Sequence, residues 1–584
     1  MDRRTIWAIL LMMVIAIAPA ILIKRPPPAA DNLSPTAVDS GGTDRPSAQT
    51  PAESVPTVTP PPVARAAEVA PSDSTAPQTG SGDTVRVTSP LYTYGISTVG
   101  GRLVEASLHR YRSMAAANHG ETAQILPEGS ELLAPTLVLG PGDTIPLHQW
   151  RFTPSAESLA VTGPTPLTLS ASRGNIAVEL TYTFHPDDYR LTVSGQVRGV
   201  GPNGGQLLVG MGPTLANTEA DVQENHRALA LVTRQNEADR NDFSGLEPGE
   251  TQTVSGPLDW AAIKSKYFVT GLLAYDSTGG RISGVSATAP AETEDDPTSA
   301  EVRVSLPLPP SGTFDYTLYA GPMEHDRLSR LGRDFDDVNP YGWPGFRTLI
   351  RPVAVGVRWL LVWMHENLNL AYGLVLVIFG ILVRILLWPL NQKAMRANMQ
   401  LQEVQPKMKE IQERYKSDPQ KMQQEMFKLY KEYKVNPLGG CWPMLLPMPV
   451  LFALFFVFQN TIELRDASFL WLPDLSRPDP LYIIPVLMGA SMYGLSKVGM
   501  VGMEPNPQMK MMLYVMPVMM TFLFLNFASG LNLYYAVSNI ASIPQQWLLS
   551  RERQRRAARK IVEIKTAPED PPGSAARGGR RKKA

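Results

Sequence analysis

The sequence predicts a polytopic α-helical membrane protein with six transmembrane helices and a large all-β sandwich domain outside the membrane. Three observations support this fold class. Six apolar segments approach the length of about 20 residues that a helix needs to cross a bilayer. Between the first two segments, about 250 residues alternate apolar and polar side chains between glycine, proline and asparagine turns. Basic residues are concentrated in the loops on one side of the apolar segments.

The composition narrows the possible functions. The chain has 54 lysine and arginine residues and 54 aspartate and glutamate residues, so no net charge attracts nucleic acid or a membrane surface. The single cysteine, Cys441, excludes an intramolecular disulfide and a thiolate zinc site. We find no Walker loop for a nucleotide. We therefore predict no cofactor, no metal, no catalytic residue and no covalent chemistry.

The chain begins with a predicted transmembrane anchor, residues 1–25. Residues 1–4 carry positive charge and residues 6–23 form an uncharged apolar run of 18, which places the N-terminus in the cytoplasm. The alternative is a cleaved signal peptide, because Ala18, Pro19 and Ala20 resemble a cleavage site. Both interpretations place the following residues outside the cytoplasm.

The exported part has two predicted segments. Residues 26–82 are rich in proline, serine, threonine and alanine and have few side chains that could build a core, which predicts a disordered linker. Residues 83–340 contain alternating stretches such as 84–88 and 178–184, which predict the β-sandwich domain.

Residues 371–550 form a predicted helical membrane core. Basic residues outnumber acidic ones by ten to six in loop 391–442 and by twelve to four in the tail, residues 551–584, whereas loop 463–480 has two basic and four acidic residues. Since positively charged loops stay in the cytoplasm, both termini are predicted to be cytoplasmic and the β domain lies on the other side. The apolar segments of this core are residues 371–390, 444–462, 481–496, 511–527 and 531–549.

Arg384 is a charged side chain well inside the first of these core segments. It lies about 5 Å to the cytoplasmic side of the centre of that segment, where a guanidinium exposed to lipid costs at least about 2.5 kcal/mol. One interpretation is that the arginine extends past Trp388 to the cytoplasmic headgroups. The other is a water-filled cavity within the membrane.

The last apolar segment supports the cavity, because polar residues recur along it at steps of three, four, three and four. This spacing places them on one face of a helix, which must meet other helices or water, since lipid offers no hydrogen bonds. Interhelical hydrogen bonding is the alternative. Together with Arg384, these polar residues predict a hydrophilic groove that is open to the cytoplasm and attracts the acidic or polar flank of another polypeptide. The residues are Asn532, Tyr535, Asn539, Ser542 and Gln546.

Residues 391–440 predict a cytoplasmic helical hairpin of coiled-coil type. Apolar residues follow a three-four rhythm in both arms, with Asp418 as the N-cap and Pro419 at the first position of the second arm. Residues 436–440 end that arm. The hairpin is either a solvated spacer or a cap that receives client chains or ribosomes.

Residues 341–370 predict an amphipathic helix in the outer interface of the membrane. The alternative is a bent connector that packs against the β-sandwich, because Pro352 interrupts the segment. Its basic face consists of Arg347, Arg351, Arg358 and His365, opposite Leu349, Val353, Leu360 and Trp363.

Several motifs resemble the YidC insertase family. The resemblance is strong over about residues 341–549 and looser in the exported domain, as in the family's Gram-negative form with a large periplasmic domain. The motifs are Arg384 with Trp388-Pro389-Leu390, Leu401-Gln402, Gln405-Pro406-Lys407, residues 434–441 (KVNPLGGC), Ile462-Glu463-Leu464-Arg465, Ser529-Gly530-Leu531, residues 533–539 (LYYAVSN), Gly100-Gly101 and Lys266-Tyr267-Phe268.

The resemblance implies a membrane protein insertase and chaperone of a bacterial inner membrane. Arg384 matches the family's groove arginine and Tyr535 a client-contacting tyrosine, and the adjacent Tyr534 joins the candidate client-binding residues. Gly380 stands where some members carry a threonine, so that polar contact is missing here. The family's exported domain is similar to sugar-mutarotase folds, from which no activity is transferred.

The resemblance also implies a hairpin cap, an apolar slide built from the segments that begin at Met444 and Met511, and a set of partners. These partners are nascent membrane proteins, the Sec translocon and the lipid bilayer, with the ribosome contacting the basic tail and the hairpin. Two rival functions remain open. A small transporter would need intramembrane acids or repeats, which we do not detect. An envelope scaffold would keep its main activity in the β domain.

Overall fold

A computed structural model describes residues 84–566, apart from residues 141, 278, 292–297, 343–345, 434–447 and 503–506. Four predicted features lie outside the described residues, namely the anchor at residues 1–25, the linker at 26–82, the end of the hairpin at 436–440 and the tail beyond residue 566.

The first part of the described chain is β-rich and forms three sheets. The strands are β1 Thr84–Thr88, β2 Tyr92–Ser97, β3 Leu103–Arg112, β4 Thr122–Gln124, β5 Pro135–Gly140, β6 Asp143–Ile145, β7 Thr153–Pro154, β8 Ser158–Ala160, β9 Thr165–Arg173, β10 Ile176–Phe184, β11 Arg190–Arg198, β12 Gly205–Gly212, β13 Ala230–Arg234, β14 Ala238–Asp242, β15 Thr251–Leu258, β16 Trp260–Lys264, β17 Phe268–Leu273, β18 Ile282–Thr288, β19 Glu301–Leu308 and β20 Thr313–Pro322. The strand orders in the three sheets are β4-β3-β2-β1-β8, β14-β13-β16-β17-β20-β11-β10-β9-β7 and β15-β18-β19-β12-β5-β6. β1 and β8 pair in parallel, and the other described pairs are antiparallel.

One hydrophobic core joins the three sheets. In β1 the buried residues Val85 and Val87 alternate with exposed neighbours, as the sequence pattern predicts. β16 and β17 instead bury every residue, because a short 3-10 helix, Phe335–Val338, covers their second face. The ring of Phe335 packs edge-on against Trp260, with 5.1 Å between ring centroids.

The β domain is not all-β as predicted, since it includes two short helices, α1 Val222–Ala228 and α2 His325–Arg330. The carboxylate of Asp221 caps α1 by accepting a hydrogen bond from the backbone N–H of Glu224 at 2.9 Å. This local cap stabilises a helical turn within a sequence of otherwise strand-like composition.

The second part of the described chain is helical. Among the described residues, two segments are apolar and long enough to cross a membrane, Tyr372–Pro389 and Ile483–Met500. The count of six spans is therefore not confirmed. The helices are α3 Arg347–Leu368, α4 Tyr372–Arg414, α5 Pro419–Glu432, α6 Met448–Asn460, α7 Ile483–Met500, α8 Pro507–Phe524 and α9 Ser529–Thr566. Two further apolar segments are shorter, Pro449–Asn460 in α6 and Met509–Phe524 in α8, and α9 is 38 residues long but is not among the apolar segments found.

Two helices that pack against each other occupy the described part of residues 391–440. α4 continues from the membrane segment into the first arm, and α5 folds back on it around Val404 and Leu429, with Met408 and Ile411 packed beside them. Asp418 is the N-cap of α5, since its carboxylate accepts a hydrogen bond from the N–H of Lys421 at 3.0 Å.

The basic face of α3 packs against acidic residues of the β domain. Arg351 donates a hydrogen bond to Asp336 at 2.8 Å. The buried guanidinium of Arg358 contacts Asp326 at 3.1 Å and Glu463, in the loop after α6, at 2.6 Å. The opposite face of α3 leaves Leu349, Trp359 and Trp363 exposed. α3 therefore contacts the β-sandwich, as expected for a bent connector. It also exposes an apolar face, as expected for a helix in the membrane interface.

A second contact lies between the same loop and the β domain. The guanidinium of Arg465 is buried and lies 3.0 Å from the carboxylate of Glu219. The central carbon of this guanidinium stands 6.0 Å from the ring centroid of Tyr267 and 5.6 Å from that of Phe268. We call these two contacts together the domain joint, which consists of Glu219, Asp326, Asp336, Arg351, Arg358, Glu463 and Arg465.

Candidate functional site

The candidate site is built around α9, which packs against α4 on one side and α7 on the other. α9 and α4 approach closely where Gly380 lies, because a Cβ atom there would stand only 3.2 Å from Val537. Two turns further, Gln545 of α9 donates a hydrogen bond to the backbone oxygen of Trp388 at 3.1 Å. These contacts hold the two helices side by side at the level of Arg384.

Arg384 is half-buried between them and lies about 18 Å along the axis from the first residue of α4. Its Nε donates hydrogen bonds to the carbonyl oxygen of Ser538 at 3.1 Å and to the hydroxyl of Ser538 at 3.0 Å. Tyr534, one turn earlier on α9, is buried beside Phe379 with 5.9 Å between ring centroids. The arginine is therefore anchored to α9 by hydrogen bonds and does not extend freely to the headgroups.

No carboxylate within the described residues forms an ion pair with Arg384, so its positive charge is uncompensated there. The residues that follow it on α4 are apolar and exposed, with Ile385 at 65% and Leu386 at 70% exposure. Arg384 thus stands at the boundary between the polar contact with α9 and an open apolar face of α4.

The other predicted polar residues of α9 face α7 and α8. Tyr535 lies edge-on to Phe524, with 5.5 Å between ring centroids. Asn539 donates to the hydroxyl of Ser491 at 3.2 Å. The amide of Gln546 lies beside Gly499, where an added Cβ would stand 2.4 Å from its nitrogen. Each of these three side chains is partly accessible.

Asn532 and Ser542 are buried, unlike the groove residues that the spacing predicts. Asn532 is 0% exposed, and its amide donates to the backbone oxygens of Phe524 and Phe527, where α8 ends. The hydroxyl of Ser542 donates to the carbonyl of Ser538 in its own helix at 2.6 Å. The hydrogen bonds of Asn532 to the end of α8 fit the interhelical alternative, whereas that of Ser542 lies within its own helix. Client contact by either residue stays a prediction.

Two residues that contact the Arg384 region, Ser538 and Gln545, were not predicted. Tyr534, Ser538 and Gln545 are spaced by four and seven residues, so they share one face of α9. Each of them directly precedes a residue of the predicted face. The sequence carries this signal, but the rotation of α9 about its axis is needed to know which face meets α4.

Within the described part of the chain, no group of three or more histidine, cysteine, aspartate or glutamate side chains could hold a metal ion. The site offers instead a fixed cation, hydroxyl groups and adjacent apolar surface. Such an arrangement can bind an acidic or polar peptide segment and release it, since it forms only hydrogen bonds and charge contacts.

Comparisons with known proteins cover both parts of the chain. A family model described as the 60 kDa inner membrane protein matches residues 363–556, which include α4, most of α9 and the residues between them. A family model described as the YidC periplasmic domain matches residues 84–354, which include all the described strands.

Similar proteins match more than four fifths of the chain. The membrane protein insertase YidC of Oleidesulfovibrio alaskensis is 32% identical over 484 residues, which are 81% of this chain and 87% of the relative. The membrane protein insertase YidC of Chlorobaculum parvum is 30% identical over 540 residues, 86% of this chain and 88% of the relative. A crystal structure of an active YidC insertase with its first transmembrane domain resolved covers 80% of this chain and 93% of its own, at 18% identity and a TM-score of 0.32.

Proposed function

Since this chain belongs to the YidC family of membrane protein insertases, we propose that it inserts client segments into the membrane through a hydrophilic groove at Arg384. The chain is a membrane protein insertase with a β-rich periplasmic domain and a helical membrane core, as the motifs predicted. The route of the client, its contact residues and the absence of covalent or nucleotide chemistry belong to the proposal.

Exposed apolar side chains support the position of the core within a bilayer. α8 exposes Met511, Val515, Val518 and Phe522, which are spaced at three or four residues and so share one helix face. Apolar surface of this extent on a folded domain indicates contact with lipid or a partner. We place the loop with the α4–α5 hairpin in the cytoplasm, because its basic residues outnumber its acidic ones.

The observation that carries the proposal is the position of Arg384. A guanidinium at this depth needs water or a counter-charge, and the described residues supply no carboxylate for it. An acidic client flank would supply that counter-charge, and a neutral polar flank would supply hydrogen-bond acceptors. The exposed apolar face at Ile385 and Leu386 then offers the client's apolar part a route along α4 toward lipid.

In this mechanism, insertion is driven by hydrophobic transfer and by the membrane potential. Transfer of an apolar client segment from water to lipid is favourable by about 25 cal/mol for each Å² of apolar surface removed from water. The membrane potential adds about 2.3 kcal/mol per charge per 100 mV. The groove lowers the barrier for the polar flank, so no nucleotide hydrolysis is required.

The remaining parts have supporting roles. We propose that the α4–α5 hairpin and the basic end of α9 receive nascent chains, from the ribosome or beside the Sec translocon, because both lie on the cytoplasmic side of the groove. We propose that Tyr534, Tyr535, Asn539 and Gln546 assist Arg384 in contacting the client. We also propose that both termini are cytoplasmic, because basic residues are concentrated near them.

The test is a complementation assay in cells depleted of their own insertase. Two single-span clients are compared, one with two aspartates in its translocated flank and one with asparagines instead. We expect Arg384→Ala to reduce insertion of the acidic client about tenfold or more, the equivalent of about 1.4 kcal/mol, and to affect the neutral client less. Arg303→Ala, which removes an exposed arginine of the β domain, is the matched control. Full insertion of the acidic client by Arg384→Ala would refute the groove mechanism.

A further inference from the structure

We propose that Ser538 is a positioning residue that orients the guanidinium of Arg384 so that its two terminal nitrogens face the client. This inference rests on the groove function proposed above. It adds a residue that the sequence patterns did not select and gives it a role distinct from client contact.

The geometry fixes one edge of the guanidinium. Nε of Arg384 donates both to the carbonyl oxygen and to the hydroxyl of Ser538, at 3.1 Å and 3.0 Å. The hydroxyl of Ser542 donates to that same carbonyl at 2.6 Å, so the carbonyl is held by two donors. Because a guanidinium is planar, two acceptors at Nε set the direction in which its other nitrogens point.

The terminal nitrogens of Arg384 have no hydrogen-bond partner among the described residues. They form the pair of parallel donors that matches a carboxylate in a bidentate contact. If Nε were free, a carboxylate could also approach from the side through Nε and one terminal nitrogen. Ser538 occupies that side and leaves the end-on approach open.

Ser538 cannot contact a client directly in this arrangement, since its side chain is only 5% exposed. Its influence on insertion must therefore pass through Arg384. A residue that only stabilised the packing of α9 would affect every client equally. A residue that orients the arginine affects the clients that use the arginine.

The experiment uses the full chain, reconstituted in liposomes of phosphatidylethanolamine and phosphatidylglycerol, with the acidic and the neutral client. The readout is the ratio of their initial insertion rates. We expect Ser538→Ala to lower the acidic-to-neutral ratio about fivefold, which corresponds to the loss of about one hydrogen bond. The matched control is Ser550→Ala, since Ser550 is also buried on α9 and donates only to the carbonyl of Trp547.

A double variant distinguishes positioning from packing. In the Arg384→Ala background, Ser538→Ala should leave the ratio unchanged, because no arginine remains to be oriented. A similar further fall in that background, an equal loss for both clients in the single variant, or an unchanged ratio would each overturn the inference. Failure of the groove itself is recognised separately, because Arg384→Ala alone would then leave the ratio at the wild-type value.

Discussion

His325 is a titratable residue in contact with the domain joint. Its ring lies edge-on to Tyr341, and its Nδ1 stands 3.5 Å from the carboxylate of Asp336. Burial lowers the pKa of His325 below its ordinary value of 6.5, and the positive charges of Arg358 and Arg351 act in the same direction, whereas Asp336 and Asp326 oppose the shift. The folded protein therefore keeps this imidazole neutral at a pH where the unfolded chain protonates it.

This shift predicts a loss of stability on acidification. Below pH 6.5 the unfolded state binds the additional proton first, so the free energy of unfolding falls as the pH falls towards the lowered pKa of the folded state. We expect His325→Gln to show a smaller drop in the midpoint of thermal unfolding between pH 7.5 and pH 5.5 than the wild type. His119→Gln, at an exposed histidine, is the control. Equal drops in the wild type and in His325→Gln would contradict the prediction.

At the scale of elements, the hairpin formed by α4 and α5 has a short second arm. Among the side chains that the structure describes, Val404 and Leu429 are the fully packed apolar ones, and α5 is only 14 residues long. A helix of this length is marginal without tertiary support, so its end groups contribute a large share of its stability. Asp418 satisfies one of the free backbone N–H groups at the first turn of α5.

Removing this cap should destabilise α5 locally. We expect Asp418→Ala to cost about 1 kcal/mol of helix stability and to accelerate amide hydrogen exchange in residues 419–432 about fivefold. The measurement is hydrogen exchange with mass spectrometry on the full chain. Ser417→Ala changes the exposed neighbouring residue, and its exchange should match the wild type. Unchanged protection in Asp418→Ala would show that the arm is held by its packing alone.

At the scale of the whole molecule, the domain joint connects the periplasmic domain to the membrane core. It brings together two motifs that the family resemblance rests on, Lys266-Tyr267-Phe268 and Ile462-Glu463-Leu464-Arg465, because Arg465 stacks over the two aromatic rings. Asn339 and Asn460 add a reciprocal pair of hydrogen bonds across the same boundary, from Asn339 to the Asn460 carbonyl and from Asn460 to the Pro340 carbonyl. The two domains are therefore joined by buried polar contacts as well as by the chain.

Breaking the buried pair at this joint should be costly. Arg465 and Glu219 have side-chain exposures of 3% and 9%, and removal of one partner leaves a buried charge uncompensated. We expect Glu219→Ala to lower the free energy of unfolding by about 3 to 5 kcal/mol, measured by denaturant unfolding in detergent micelles. Glu105→Ala removes the partner of Arg86 in a largely exposed pair and should cost at most about 1 kcal/mol.

The double variant Glu219→Leu/Arg465→Met completes this measurement. It removes both charges and should recover much of the lost stability, because no buried charge remains unpaired. A cost for Glu219→Ala as small as that of Glu105→Ala would mean that water reaches the joint and screens the pair.

The sequence alone determined the features that depend on local pattern. Alternation in β1, the apolar segments of α4 and α7, and the Asp418 cap each follow from residues that are near one another in the chain. The physical causes of these features are the periodicity of the β pleat, the thickness of the membrane and helix capping. Each of these causes acts over a few helical turns or a single strand. The family resemblance rested on similarly short motifs.

Tertiary structure decided which of these features meet. The predicted face of α9 points to α7 and α8, whereas Ser538 on the adjacent face meets Arg384, because helix packing sets a rotation that sequence spacing leaves free. Arg465 and Glu219 are 246 residues apart, and no local pattern pairs them. Such contacts arise from the simultaneous burial of many side chains, so the anchoring of Arg384 and the joint between the domains belong to the folded molecule as a whole.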